Sequence, residues 1–163
     1  MSPATDQAVY SRYPARPRIE IRGPAVERSE RVLTPLALQL LASLHRRFKG
    51  CRTMRPDDDA PAAWARRMRQ LESKELVRPR GWDIAESHVH IDGVPVAGAL
   101  FDVAVACANS LDDFVRRGAG PRFDLPPPHG PLEAKLWRDV LRAIEAALGL
   151  RSGAIKAIAE IDT

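Results

Sequence analysis

Apolar positions recur along this chain with two periods, and the switches between them mark out its elements. The first 18 residues, MSPATDQAVYSRYPARPR, follow neither period and are expected to form an irregular arm. IEIRGPAVERSERVL offers a short strand and a turn at Gly23-Pro24. A helix is then predicted with Thr34 as cap and Pro35 in its first position. Leu36, Leu40, Leu41 and Leu44 line one face, and His45-Arg46-Arg47 sits at the end where cations suit the helix dipole. Gly50, the aspartates 57–59 and Pro61 interrupt the pattern. A second helix is predicted from Ala62 to about Leu76, with Trp64, Met68 and Leu71 on its stripe and Arg66, Arg67 and Arg69 outside it. Leu76-Val77 can also begin a strand.

The sequence HVHI-DG-VPV places two alternating runs around an Asp-Gly pair, the signal of a two-residue hairpin. One long helix follows, from about Ala99 to Arg117, with Leu100, Val103, Cys107, Leu111 and Phe114 facing a core and Gly118 as its stop. RFDL reads as a strand and PPPHGP as a rigid turn. A third strong helix starts at Pro131, with Leu132, Leu136, Val140, Ile144 and Leu148 buried and Gly149 closing it. AIKAIAEID is a final alternating run. Strands alternating with long helices from residue 76 onward predict an α/β architecture with a parallel sheet and crossover connections.

Composition adds little to this picture. An apolar fraction of 45% is enough for a core. The net charge of +4 permits anionic partners, including nucleic acid, without requiring them. A nucleic-acid module would show binding that falls steeply with salt. Cys51 and Cys107 have no metal-ligand spacing and suggest no disulfide framework. No run is long enough for a membrane span, no secretory segment is read, and AEIDT carries no peroxisomal address. A cytoplasmic setting is the expectation. His88 and His90 have a spacing that can hold zinc on a strand, but no third ligand follows. The aspartates 57–59 read as a solvated turn with a helix cap, and Arg66, Arg67 and Arg69 as a solvated helix face. The stretch that points to chemistry is RPRGWDIAESHVHIDG, where Arg78 and Arg80 stand at the mouth of a strand pair.

From Val77 to Thr163 the chain resembles the malate synthase family. VRPRGWDIAESHVHIDGVPVAGALFD follows the family's Arg-Pro-Arg-Gly-Trp block, its Lys/Ser-His-Val element and its Asp-Gly-x-Pro-Val hairpin in order. GAGPRFDLP, LEAKLWRDV and ALGLRSGAIKAIAEIDT follow the next strand, helix and strand. Upstream, RVLTPLALQLLASLHRRF resembles the family's amino-terminal helix, and MRPDDDAPAAWARRMRQL its acidic segment ending in Pro-Thr-Trp.

The resemblance implies a partial (β/α)₈ TIM barrel with a short helical N-terminal segment. The expected divisions are a flexible arm over 1–18, a malate synthase N-terminal-like segment over 19–61 and a partial barrel domain over 62–163. It implies condensation of acetyl-CoA with glyoxylate and hydrolysis to malate and CoA, with Mg²⁺. Arg78 matches the family's active-site arginine, where a fixed guanidinium stabilises charge on the enolate oxygen and on glyoxylate. Arg80 has no assigned role and reads as a surface or structural ion-pair partner. Asp162 stands where the family has a Mg²⁺-binding glutamate, with Glu160 the alternative ligand. Other departures are Pro126-Pro127-Pro128-His129 in place of Pro-Lys-x-Glu, Asp83 in place of a histidine after the tryptophan, and an eroded first barrel strand between Lys49 and Ala62. The family's second metal carboxylate and general-base aspartate fall beyond Thr163. The isolated chain is therefore expected to be inactive and to self-associate through an unfinished barrel; the alternative is a non-catalytic remnant with weak anion or CoA binding.

Overall fold

The computed structural model describes residues 16–48, 54–58, 60–72 and 76–159. The 1–15 part of the arm, Gly50, Cys51, Asp59, Glu160 and Asp162 lie outside them. The described elements are β1 (Ile19–Ile21), α1 (Ser29–Val32), α2 (Pro35–Phe48), β2 (Arg55–Pro56), α3 (Pro61–Glu72), β3 (Leu76–Val77), β4 (Ile84–Ile91), β5 (Val94–Ala97), α4 (Gly98–Ala108), α5 (Leu111–Arg117), β6 (Arg122–Leu125), α6 (Pro131–Ala147) and β7 (Lys156–Ala159).

They form two sheets. In the first, β4 pairs antiparallel with β5 and β1, and in parallel with β2. The β4–β5 turn has positive φ at both Asp92 (52°) and Gly93 (81°), the conformation for which an Asp-Gly pair is suited. Arg46 on α2 grips the Asp92 carboxylate with two hydrogen bonds, Nε at 2.8 Å and Nη2 at 3.1 Å. A register shift between Glu86 and His90 breaks the period of β4 and brings both faces of the strand into contact with the interior.

The second sheet is wholly parallel, in the order β3-β6-β7, with Val77 opposite Phe123 and Leu125 opposite Ala159. This is the crossover architecture predicted from the alternation of strands and helices. The sheet is open, with no closed barrel among the described residues. Between the two sheets lies α4, every residue of which is buried. It packs against α2, α3, β3, β4 and β5.

Several local expectations need correction. The predicted helix 99–117 is two helices, broken at Asn109-Ser110. There the Asn109 side-chain amide donates to the Val32 carbonyl (2.7 Å), and its Oδ1 accepts from the Thr34 hydroxyl (2.9 Å), which ties the helix end to α2. Thr34 does cap α2, its Oγ1 accepting the Ala37 N–H at 3.2 Å. The second helix is described over Pro61–Glu72, and Leu76-Val77 forms the strand that the sequence also offered. Leu132 and Leu36 are exposed at 80% and 40%. On α6 the burial falls to Trp137, one position beyond Leu136 on the helix surface.

Candidate active site

The parallel sheet directs the carboxyl ends of β3, β6 and β7 to one edge, so the residues that follow them share it. After β3 comes Arg78, and after β6 comes Pro126. Glu160 follows β7 in the chain, and with Asp162 it lies outside the described residues. In barrels built from such units, this is the edge that carries the chemistry. The Arg78 side chain is 76% exposed, and its Nε lies 3.3 Å from Asp124 Oδ2. One cleft beside it is lined by Asp124 and Pro126-Pro127, and another, toward α3, by Arg67, Gln70 and Leu71.

Arg80 points the other way, into the protein. Its backbone N–H (2.9 Å) and Nε (3.1 Å) both donate to Asp102 Oδ2, and its Nη2 donates to Asp102 Oδ1 (3.0 Å). Nη1 reaches Asp57 at 3.1 Å and Glu86 at 3.3 Å. Burial by itself would lower the guanidinium's pKa. The carboxylates of Asp102 and Glu86, with the hydrogen bond to Asp57, outweigh that and raise it above its ordinary value. Arg80 is thus a structural ion-pair partner, one of the two readings the sequence allowed. Gly98 makes the approach possible, since a Cβ there would stand 2.8 Å from Arg80 Nε.

Polar contacts extend outward from Arg80. His88 Nδ1 lies 2.8 Å from Glu86 Oε2, and the His88 ring stacks on Trp64 of α3 with centroids 4.7 Å apart. His90 is lined up opposite Glu20 instead, and burial followed by the charge of Arg22 holds its pKa below the usual imidazole value. The two histidines therefore serve different neighbours. Among the described residues no group of three His, Cys, Asp or Glu side chains could hold a metal ion. Cys107 is fully buried, and burial, followed by the charge of Glu145, pushes its thiol pKa up.

Glu86 and Asp102 have no role in the reading of the sequence, and Asp57 enters it only as part of a solvated turn. A signal existed for Asp102. It is the one charged residue in GALFDVAVACA, and a lone carboxylate on an otherwise apolar helix calls for a buried cation. For Asp57 the solvated-turn reading was half right. Asp58 Oδ1 accepts the Ala60 N–H at 3.0 Å just ahead of α3, while Asp57 turns inward to Arg80.

The model of the malate synthase TIM barrel domain matches residues 74–163, just over half of the chain. The chain belongs to the malate synthase family. Over 88 residues it is 46% identical to the glyoxysomal malate synthase of Candida tropicalis, a match covering 54% of this chain and 16% of that protein. The malate synthase of Myxococcus xanthus is 44% identical over 88 residues, with the same coverage of both chains. The glyoxysomal malate synthase of Cucurbita maxima is 39% identical over 94 residues, covering 56% of this chain and 17% of that one. The match spans about one-sixth of the length of these relatives. The partial α/β barrel architecture expected from the resemblance agrees with the family match and the parallel sheet. No helix among the described residues is long and apolar enough to cross a membrane.

Proposed function

We propose that this chain supplies one sector of a malate synthase active site, with residues 62–163 as the partial barrel, 19–61 as the segment that precedes it and 1–18 as an arm. The reaction is the condensation of acetyl-CoA with glyoxylate. A base takes a proton from the acetyl methyl group, and the resulting carbon attacks the aldehyde carbon of glyoxylate. A carbon–carbon bond forms, the charge passes to the aldehyde oxygen, and hydrolysis of the thioester then yields malate and CoA. Arg78 is the catalytic residue of this proposal, its guanidinium stabilising the enolate oxygen and the glyoxylate carboxylate. The observation that carries the reading is the exposed Arg78 at the carboxyl edge of a parallel sheet, inside the segment that matches the family.

Mg²⁺ is the ion proposed for the complete site, with Asp162 as ligand and Glu160 as the alternative. Among the described residues lining the cleft with Pro126 and Pro127, the one carboxylate is Asp124, and it is engaged by Arg78. That arrangement does not fit a Mg²⁺ site, which wants several free oxygen ligands, so no step is derived through the ion. It also offers no free base for the methyl proton, and the isolated chain is expected not to turn over. A cytoplasmic setting belongs to the same proposal. So does self-association through the open sheet edges, where Leu76 and Ile158 are 50% and 61% exposed; sedimentation equilibrium tests it.

The primary test is calorimetric titration of glyoxylate into the chain with Mg²⁺ present. Binding that is lost in Arg78→Ala is the expected result. Binding that survives the substitution, or glyoxylate-dependent CoA release by the isolated chain at an enzyme-like rate, would overturn the reading. Nucleic-acid binding that falls steeply with salt and ignores glyoxylate would favour the basic-module alternative.

A further inference from the structure

Arg78 has little of its own to hold it in place. Its ion pair with Asp124 is exposed, and such pairs restrain a side chain weakly. The backbone that carries it is different. Pro79 fixes its own φ and keeps Arg78 out of helical conformations. The next residue, Arg80, is bound through its backbone N–H and its guanidinium to one carboxylate, that of Asp102, which is fully buried on α4. Asp57 and Glu86 hold the remaining side of the guanidinium, and Arg67 stands 3.7 Å from the same Asp102 oxygen. A planar fork held along both its edges fixes direction as well as distance.

We propose that Arg80 and Asp102 are positioning residues that set where Arg78 points, a role resting on the reading of Arg78 as the group that binds glyoxylate. The clamp ties the turn after β3 to the helix buried between the two sheets. Arg78 thereby inherits the rigidity of α4, although its own side chain stands in solvent. Gly98 belongs to the same device, because any side chain at that position would displace the guanidinium.

The experiment measures ¹⁵N relaxation of the Arg78 amide and Nε in the 163-residue chain, with glyoxylate affinity measured alongside. Asp102→Asn weakens the clamp, Arg80→Lys keeps the charge but loses the fork, and Gly98→Ala displaces the guanidinium without altering any charge. Asp57→Asn, at a side chain 36% exposed, is a milder variant for use if the others fail to fold. The Asp92 amide in the hairpin turn reports whether each variant keeps its fold. The Arg78 amide order parameter is expected to fall from about 0.85 to below about 0.6 in the clamp variants while Asp92 is unchanged. Glyoxylate affinity is expected to drop about tenfold, and Asp102→Asn should add nothing in an Arg78→Ala background. An Arg78 that stays rigid in folded variants overturns the proposal. If Arg78 loosens but the unaltered chain does not bind glyoxylate, the positioning role stands and the assignment of Arg78 to glyoxylate falls.

Discussion

Replacing Arg80 with methionine should reveal how much of this fold depends on one buried cation. The substitution removes the guanidinium from beside Asp102, fully buried, and Glu86, 4% exposed, while filling much of the same space. Breaking a buried ion pair on one side costs about 3–5 kcal/mol, because the remaining charge is left in a poorly polarisable interior. That is a large share of the ~5–15 kcal/mol that stabilises an ordinary domain. With a urea dependence of about 2 kcal/mol per molar, the unfolding midpoint should fall by about 2 M. The same reasoning predicts that adding Asp102→Leu restores about 1–2 kcal/mol, since it removes the more deeply buried of the stranded carboxylates while Glu86 stays without its cation. Urea titrations followed by tryptophan fluorescence provide the assay. A midpoint shift below about 0.5 M for Arg80→Met, or a double variant as unstable as the sum of the two single ones, would refute the argument.

Three further outcomes are expected. Trp64→Ala empties a site that is 2% exposed and removes the stack on His88, and should cost about 3–5 kcal/mol by chemical denaturation. The hydrogen bond from Arg46 holds the Asp92 carboxyl below its usual range, so its stabilisation is full above the unfolded carboxylate pKa and is lost as pH falls through the lower folded value. Urea midpoints from pH 7 to pH 2 should therefore show the parent chain's advantage over Asp92→Asn shrinking at the acid end. Asn109→Ala leaves the Val32 carbonyl and the Thr34 hydroxyl without their partner and should lower stability by about 1–3 kcal/mol in thermal unfolding.

What the sequence disclosed was governed by distance along the chain. The Asp92-Gly93 turn, the Thr34 cap and the Gly118 stop, which is left-handed at φ 69°, depend on neighbouring residues, and each was legible. The parallel sheet followed from the order of elements. The clamp was not legible as a whole, since Arg80 meets Asp102 from 22 positions away and Asp57 from 23. Periodicity could not locate the break at Asn109 either, because the apolar stripe runs through it and the cause is a hydrogen bond to α1. Likewise the stripe of α6 could not say that Leu132 overhangs solvent, which depends on where the neighbouring elements end.

The burial of α4 has a consequence for how the molecule comes apart. A helix with every residue covered has no wet side from which to fray, and its neighbours come from both sheets. Its amides can exchange with solvent only when those neighbours leave, so neither sheet has an unfolding transition of its own that spares the helix. By contrast all four residues of β7 are exposed, and that strand can open while the rest stays closed. Hydrogen exchange should therefore run in a gradient, fastest at β7 and slowest at α4, with the slowest amides reporting the free energy of opening the whole chain.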